Sequence, residues 1–342
     1  MGQRLAIIGM GMLSPVGNRA PMTCASLRAG ITRLRELEGL VDERGLPLRG
    51  SCVPELETEE HGIKRLAEMA AISLAEALSH VPSELKRHVR LSLAMRDRAR
   101  PGDYSMLQSE LRASLEPLGL SKDTQLDVHT EGTAAGLQAL AKVRQRMIQG
   151  AQGVELVIGV DSLLDMPTLS YLSAANRLKQ GTQPRGAMPG EACACLVLVS
   201  ERTARQAGLR SMALIEGIGL AKESVLVGQD APLLAEGLTR AISLALEEAG
   251  WSGSSVRQVN ADLNGETYRS REWMLALART LGEPYVVHPA DCIGDVGAAF
   301  APLLIGMAAV ALQRGYARGD RVLVSCSSDS GLRGACAVAS GD

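Results

Sequence analysis

The chain has 342 residues, of which 46% are hydrophobic and 22% charged, and its formal net charge is -2. A chain of this length buries a large core, and we expect two domains or one large α/β unit. The weak charge and the 2% aromatic content argue against a nucleic-acid partner, and no apolar run reaches the ~18 residues that a membrane span needs.

The N-terminal segment predicts a cytoplasmic protein with reduced thiols. Met1-Gly-Gln-Arg-Leu-Ala-Ile-Ile-Gly9 enters a buried-strand pattern directly, without a signal peptide or lipidation motif. Seven cysteines, an odd number, are scattered along the chain, and no CxxC or HxxxH spacing suggests a metal site. Cys193 and Cys195 lie two apart, so both face one side of a strand, and we interpret them as core residues in preference to a redox pair.

The predicted elements alternate between strand and helix along the chain. After the opening strand, an insertion of roughly residues 14–63 holds much of the Pro, Gly and charge and is expected to form a cap or a dimer contact. Further elements are predicted from apolar runs and helical spacing. They are helix Leu66–Leu78, helix Gly132–Met147, strands Val154–Val160 and Cys195–Val199, helices Leu233–Ala249 and Glu272–Leu281, helix Gly297–Gln313 and strand Val322–Cys326.

Thr133 lies where a strand, a tight turn and an Ala-rich helix follow one another. Gly132 supplies the turn, and Leu137, Leu140 and Val143 are spaced for one helix face. The start of a helix presents free N–H groups and a positive dipole end, which is a favourable place for a nucleophile. A plain helix cap is the alternative for a threonine at this position.

The sequence contains a faint internal duplication. Ala71-Ile-Ser-Leu-Ala75 recurs as Ala241-Ile-Ser-Leu-Ala245, and the opening strand Ala6–Gly11 resembles Leu214–Gly219. The Asp-Ser pair at Asp161 recurs at Asp329 after a similar buried strand. Two similar halves predict a pseudo-twofold α/β architecture, and we place them at residues 1–205 and 206–342.

These features together resemble the thiolase superfamily, and within it the β-ketoacyl-acyl-carrier-protein synthases. Ile7-Ile-Gly-Met-Gly-Met-Leu-Ser-Pro-Val-Gly17 is similar to that family's first strand and turn, and Gly159-Val-Asp-Ser-Leu-Leu164 to the strand end after the nucleophile helix. Arg185–Leu198 and Gly294-Asp-Val-Gly-Ala-Ala299 match two further motifs. The resemblance implies two βαβαβ-type halves in a layered α/β/α/β/α fold, acyl-carrier protein or CoA thioesters as ligands, and no cofactor. It also implies a dimer whose interface continues the sheet.

The residues on which the family's chemistry depends differ here. The resemblance places Thr133 on the nucleophilic cysteine, Asp262 and Asp295 on the two histidines, and Ala290 on the lysine. Cys326-Ser-Ser-Asp-Ser-Gly331 replaces a Gly/Phe-rich turn that belongs to the oxyanion hole and its gate. A threonine hydroxyl is un-ionised at neutral pH, and a carboxylate repels an enolate unless burial keeps it protonated. Condensation by the family mechanism is therefore not expected.

Polar side chains near these positions form the candidate site. The motif Asp262-Leu-Asn-Gly-Glu-Thr-Tyr-Arg-Ser-Arg-Glu-Trp273 follows a strand, as binding residues in α/β folds do, although a solvated loop is equally compatible. The candidates are Thr133, Asp262 and Asp295 for catalysis, and Glu131, Asn264, Glu266, Ser328 and Ser330 for substrate binding. His129 and His288 are near enough in sequence to replace a lost histidine, but a structural role is favoured for each.

Two functions remain open from the sequence. The first is a non-condensing partner subunit, similar to a chain-length factor, that binds acyl thioesters and forms a heterodimer with an active ketosynthase or a homodimer. The second is a divergent acyltransferase or thioester hydrolase in which a carboxylate acts as general base on Thr133 or on a water. The absence of the family's cysteine, its two histidines and its lysine favours the first function. The dense polar residues from Asn264 to Arg271 favour the second.

Overall fold

A computed structural model describes residues 4–41, 45–54, 56, 61–121, 123–180 and 183–341. The N-terminal residues Met1–Gln3 and parts of the predicted insertion lie outside the described residues. Twelve strands occur, namely β1 Leu5–Leu13, β2 Arg35–Val41, β3 Pro47–Gly50, β4 Val89–Ala94, β5 Leu126–His129, β6 Val154–Ser162, β7 Glu191–Ser200, β8 Ala213–Lys222, β9 Gln258–Ala261, β10 Tyr285–Val287, β11 Arg321–Ser327 and β12 Leu332–Ser340 among the described residues. The described helices are α1 Ala20–Arg28, α2 Ile63–Ser79, α3 Leu107–Ala113, α4 Ala135–Ile148, α5 Met166–Ala174, α6 Glu201–Gln206, α7 Glu236–Ala249, α8 Thr267–Thr280, α9 Ala290–Ile293 and α10 Phe300–Gln313.

Ten strands form one sheet whose order reveals the duplication. The order is β10-β9-β11-β12-β8-β1-β7-β6-β4-β5, so the first five strands from one end repeat the topology of the last five in reverse. The halves meet where Leu5–Ile7 of β1 pairs antiparallel with Ala213–Ile215 of β8. The predicted pseudo-symmetric thiolase-like architecture is thus observed, whereas the division at 205/206 within this continuous sheet stays a prediction.

The helices form three layers around the sheet. α4 and α10 pack against each other at the centre, α2 covers one half of the sheet and α7 with α8 covers the other. Buried apolar side chains fill each layer, and a second, two-stranded sheet of β2 and β3 contacts α5 through a smaller cluster. Strands in the interior are apolar on both faces because helices cover both, as the continuous runs in the sequence predict. Cys193 and Cys195 are fully buried in this core.

Glycines at matching positions allow α2 and α7 to lie directly on the sheet. A Cβ at Gly11 of β1 would come within 2.0 Å of the Ser73 carbonyl oxygen of α2. A Cβ at Gly219 of β8 would come within 1.9 Å of the Ala241 carbonyl oxygen of α7. Both contacts join segments that the sequence comparison aligned, so the two halves share a packing solution as well as a strand order.

The largest error in the predicted boundaries is at the start of α8. α8 begins at Thr267, five residues before the predicted start at Glu272, so much of the predicted polar loop is helical. The prediction failed because it relied on an apolar stripe, whereas Arg269 and Glu272 bury this helix through ion pairs. Within the described part of the chain, no helix is both long and apolar enough to span a bilayer.

Candidate functional site

Thr133 lies at the start of α4, where the sequence placed it. β5 ends at His129, and a 3-10 turn over Gly132–Ala134 leads into the helix. Gly132 has φ +68°, the left-handed conformation that glycine adopts without strain. Thr133 is buried, and its hydroxyl makes no hydrogen bond to any residue that the structure describes. The position therefore offers a hydroxyl without a neighbouring base.

Each half of the fold caps the central helix of the other half. The Ser328 hydroxyl, which follows β11, accepts a hydrogen bond from the Ala134 amide at 2.8 Å. Reciprocally, the Asp161 carboxylate of β6 accepts a hydrogen bond from the Ala298 amide, just before α10, at 3.0 Å. Both amides belong to helix starts, which need acceptors from outside the helix. The amide beside Thr133 is thus already satisfied within the chain.

Backbone amides at the end of β11 and in the turn that follows it are likewise engaged within the protein. The Ser327 amide donates to a buried carboxylate at 2.7 Å, and the Ser328 amide donates to the Leu332 carbonyl at 2.9 Å. The Ser330 amide donates to the Asp97 carboxylate at 2.9 Å. An oxyanion hole needs amides that are free to donate to the substrate oxygen. These three amides are not free.

Glu131 and Ser330 meet at the surface near this turn. The Ser330 hydroxyl donates to the Glu131 carboxylate at 2.9 Å. Glu131 precedes the turn at Thr133, and its half-buried side chain links that turn to the turn after β11. The structure thus brings these two predicted substrate-binding residues together, and their role stays a prediction.

Asp262 and Asp295 have partners other than Thr133. Asp262 accepts hydrogen bonds from Arg269 at 3.0 Å and from the Ser327 amide. Asp295 accepts from the Asn264 side-chain amide at 2.6 Å and from a backbone amide at 2.9 Å. Neither carboxylate makes a hydrogen bond with the Thr133 hydroxyl within the described part of the chain. The catalytic role of these three residues stays a prediction.

Burial perturbs both of these aspartates. It raises the pKa of Asp262 to about 6, although the nearby Arg269 guanidinium acts in the opposite direction. Burial also raises the pKa of Asp295, against the same guanidinium and the Asn264 hydrogen bond. A buried carboxyl group with a raised pKa is a recurrent property of general acids and bases, but ion-pair networks produce it as well.

Asn264 and Glu266 belong to the same network. The Asn264 side-chain nitrogen donates to Glu266 at 2.9 Å as well as to Asp295, and the Glu266 carboxylate receives two hydrogen bonds from Arg177, at 2.6 and 3.0 Å. Burial opposes ionisation of Glu266, yet the Arg177 contacts hold the pKa of this carboxyl below its ordinary value. The polar groups of both side chains are thus engaged in hydrogen bonds within the protein.

The arginines that balance these acids were not predicted from the sequence. Arg177 donates to Asp329 at 2.7 and 3.1 Å, and Arg269 donates to the same carboxylate at 3.3 Å. Arg100 pairs with the buried Asp161. A cluster of buried acids requires nearby cations. The number of acids in the predicted site is therefore the one feature of the sequence that indicates such arginines. Arg177 lies 89 positions from Glu266, so spacing in the sequence does not identify it.

The space at Thr133 is small. A cavity of about 40 Å³ is lined by Thr133, Gly297, Asp161 and Asp329, among others. Such a volume holds about three waters, since one water needs roughly 10–15 Å³ measured in this way. Tyr171 lines both this cavity and a second one of about 470 Å³. In this conformation the site does not accommodate an acyl arm.

The two candidate histidines lie apart from Thr133 contacts. His129 is buried, and its Nδ1 lies 3.3 Å from the Gln138 side-chain oxygen, while burial lowers its pKa. His288 pairs with Asp291 at 3.1 Å on the surface. Among the described residues, no group of three or more His, Cys, Asp or Glu side chains is arranged to hold a metal ion.

Comparisons with known proteins identify the fold. No protein-family model matches the chain, and no curated protein is significantly similar. A solved complex of a type II polyketide ketosynthase with its acyl-carrier protein (AntDE:AntF) is similar, with a TM-score of 0.83, 17% identity and coverage of 100% of both chains. The ishigamide ketosynthase/chain length factor has a TM-score of 0.81, 17% identity, and coverage of 99% of this chain and 100% of that one. A β-ketoacyl synthase from Burkholderia phymatum has a TM-score of 0.77 and 19% identity, with 99% of each chain covered.

Proposed function

We propose that this chain is a non-condensing subunit with a ketosynthase fold, and that it pairs with an active ketosynthase as a chain-length factor does. The observation that carries this proposal is the closed state of the site at Thr133. The Ala134 amide, beside Thr133, is bonded to Ser328. The amides of Ser327, Ser328 and Ser330 are likewise bonded within the protein. Condensation requires free donors for the thioester oxygen at this place.

The chemistry of the side chains supports the same proposal. Among the residues that the structure describes, no base lies within hydrogen-bonding distance of the Thr133 hydroxyl, and threonine is a poor nucleophile without one. Asp161 and Asp329 line the cavity at Thr133, and ion pairs with Arg269 and Arg177 outweigh burial and hold the pKa of Asp329 low. Arg100 also lines this cavity, but it is paired with Asp161. A developing enolate or oxyanion would therefore find the cation of the cavity already engaged by a carboxylate.

The edge of the sheet supplies a surface for the partner. β5 is the last strand beside β4. The Leu91 amide of β4 donates to the Gln125 carbonyl, and the amide of Met95, just after β4, donates to the His129 carbonyl. Alternation along a parallel strand then directs the Val128 N–H and carbonyl away from β4. A partner strand that pairs with this edge would continue the sheet four residues from Thr133. This placement matches the dimer that the resemblance to ketosynthases implies.

One observation supports the alternative, enzymatic function. The Thr133 hydroxyl lacks a hydrogen-bond partner in the described structure, and Asp262, with its raised pKa, lies in the network behind the turn. An acyltransferase or thioester hydrolase would use Thr133 with Asp262 or Asp295. For this to occur, the carboxylates must exchange their partners Arg269 and Asn264 for the hydroxyl or a water.

The first experiment separates these functions. The purified protein is incubated with a panel of acyl-CoA and acyl-carrier-protein thioesters, and intact mass and thioester loss are recorded for wild type, Thr133→Ala and Asp295→Ala. We expect no adduct and no turnover from any of the three. An acyl adduct or thioester loss that disappears in Thr133→Ala would overturn the proposal and establish the enzyme.

The second experiment tests the pairing. Each ketosynthase of the source organism is co-expressed with this chain, and native mass spectrometry measures the heterodimer. Val128→Pro removes the outward N–H of β5 and is expected to abolish the heterodimer, whereas Val286→Pro on the opposite edge strand β10 is the matched control and preserves it. Failure of every ketosynthase to form a heterodimer, or indifference to Val128→Pro, would contradict the proposed interface.

A further inference from the structure

A large cavity lies at the far end of α10 from Thr133. Residues at the start of α10 pack against the Thr133 turn, whereas Val310 and Gln313 in its last turn line the cavity. A helix of 14 residues is about 20 Å long. The cavity has a volume of about 600 Å³, within the usual range of small-molecule sites. It is therefore separate from the site described above.

The walls of this cavity are mainly aliphatic. They combine one side of α1 with the middle of β1, the residue before β8 and the end of α10. The apolar lining includes Met10, Ala20, Pro21, Ala25, Met212 and Val310. Small alanines on α1 leave the space open, and methionine side chains adapt to the shape of a flexible chain. The lining suits an alkyl chain better than a polar ligand.

The acidic residue in the wall is held by hydrogen bonds from the backbone. The Glu76 carboxylate accepts from the Met12 amide at 2.9 Å and from the Ala20 amide at 3.0 Å through both oxygens. Its lone pairs are thus directed at the backbone of β1 and α1. Glu76 closes the wall between these elements, and its carboxylate is engaged by their amides. Arg28 and Arg314 are the arginines of the lining.

Two arginines lie at the mouth of the cavity. Arg28 and Arg314 line it and are exposed, and neither has a carboxylate partner among the residues that the structure describes. The Arg28 guanidinium lies over the Tyr316 ring at 4.0 Å from its centroid, which holds it at the rim. Guanidinium groups pair well with carboxylates through two parallel hydrogen bonds. An apolar interior with a cationic rim is complementary to an amphiphilic anion.

We propose that this cavity is a binding site for a straight-chain alkyl carboxylate of medium length. The alkyl chain occupies the space between α1, β1 and α10, and the carboxylate pairs with Arg28 and Arg314. This site is independent of the proposed partner function, because none of its residues belongs to the Thr133 site or to the edge of β5. The two proposals can therefore fail separately.

Calorimetry with a series of single-chain ligands tests the site. Octanoate, decanoate and dodecanoate are titrated below their micellar concentrations, with 1-decanol, decylamine and decyl phosphate as head-group controls. We expect one saturable site whose affinity rises roughly fourfold per added methylene. Decanoate should bind more tightly than decanol and decylamine, and decyl phosphate shows whether the rim recognises anions in general. Affinity that is independent of chain length, or no saturation, would overturn the proposal.

Variants locate the binding. Arg28→Gln combined with Arg314→Gln should reduce the affinity for decanoate to that for decanol while the affinity for decanol is unchanged. Ala25→Trp fills the cavity from the exposed side of α1 and should abolish binding, whereas Met22→Trp, on the same helix but outside the lining, is the control that preserves it. Unchanged decanoate binding in Ala25→Trp would place the ligand elsewhere and refute the site.

Discussion

Replacing Arg333 with methionine would remove the cation that holds the turn after β11. Arg333 is 1% exposed, and its Nε donates to Glu272 at 2.7 Å. The same guanidinium donates to the Ser328 carbonyl at 2.6 Å and to the Leu332 carbonyl at 3.1 Å. The residue thus connects α8 to the turn whose serine caps α4.

The magnitude follows from the burial of both partners. The Glu272 side chain is also 1% exposed, so Arg333→Met leaves a buried carboxylate without its cation, which costs about 3–5 kcal/mol in comparable cases. Adding Glu272→Gln removes the stranded charge, and the double variant should recover roughly 2 kcal/mol of that loss. The remainder reflects the two carbonyls that lose a donor, at about 1 kcal/mol each.

Urea unfolding followed by tryptophan fluorescence measures these losses, because Trp273 is adjacent to Glu272 in α8. Arg318→Met is the control, since that exposed guanidinium lies over the Tyr285 ring at 4.9 Å, forms no ion pair with any described residue, and should contribute about 0.5 kcal/mol. An Arg333→Met loss below about 1 kcal/mol would refute the reasoning. So would a double variant whose loss equals the sum of the two single losses, because the pair would then be uncoupled.

Three further predictions concern the site. Ser328→Ala leaves a helix-start amide without its acceptor and should lower the free energy of unfolding by about 1–2 kcal/mol. Ser330→Ala, whose partner is at the surface, is the control and should lower it by less than about 0.5 kcal/mol. Equal losses for the two variants in denaturant titrations would contradict the capping role of Ser328. Gly297→Ala should lower the free energy of unfolding by more than about 3 kcal/mol, because the φ of Gly297 is +50° and a Cβ would lie 2.1 Å from a buried carboxylate oxygen. Gly315→Ala is the control, since Gly315 has φ +69° but open space around it, and should lower it by about 1 kcal/mol. Thermal melts compare the two variants. Burial raises the pKa of Asp262 from 3.8 to about 6. Between about pH 4 and 6 the native state therefore keeps a proton on this carboxyl that the unfolded chain has lost. Relative to Asp262→Asn, the wild type should therefore lose up to about 3 kcal/mol as the pH rises from about 4 to 6, and a difference that is constant with pH in unfolding titrations would contradict this.

The architecture was predictable because it depends on local patterns that occur twice. The repeated Ala-Ile-Ser-Leu-Ala segments lie in α2 and α7, and the repeated opening strands are β1 and β8, at equivalent positions of the sheet. Buried strands have continuous apolar runs, and the helix at Thr133 begins at a glycine turn. Each of these signals spans fewer than about 15 residues, so one sequence reveals them.

The content of the site was less predictable, because it depends on partners far apart in the chain. Thr133, Asp262 and Asp295 were placed by resemblance, but their contacts were not. Arg177 reaches Asp329 across 152 positions, and it lies in a segment with no recognisable motif. Ion pairs of this kind form only after the strands are arranged, so the pattern of neighbouring residues carries no trace of them.

The exchange of caps between the halves has a consequence for how the protein folds. The amide at the start of α4 finds its acceptor in Ser328, and the amide before α10 finds its acceptor in Asp161. Neither central helix is therefore complete at its first turn until the opposite half has docked. A fragment that contains one half alone would expose both the uncapped turn and the apolar face of its central helix. We expect such fragments to associate with one another or aggregate, and the two halves to form as one cooperative unit during synthesis.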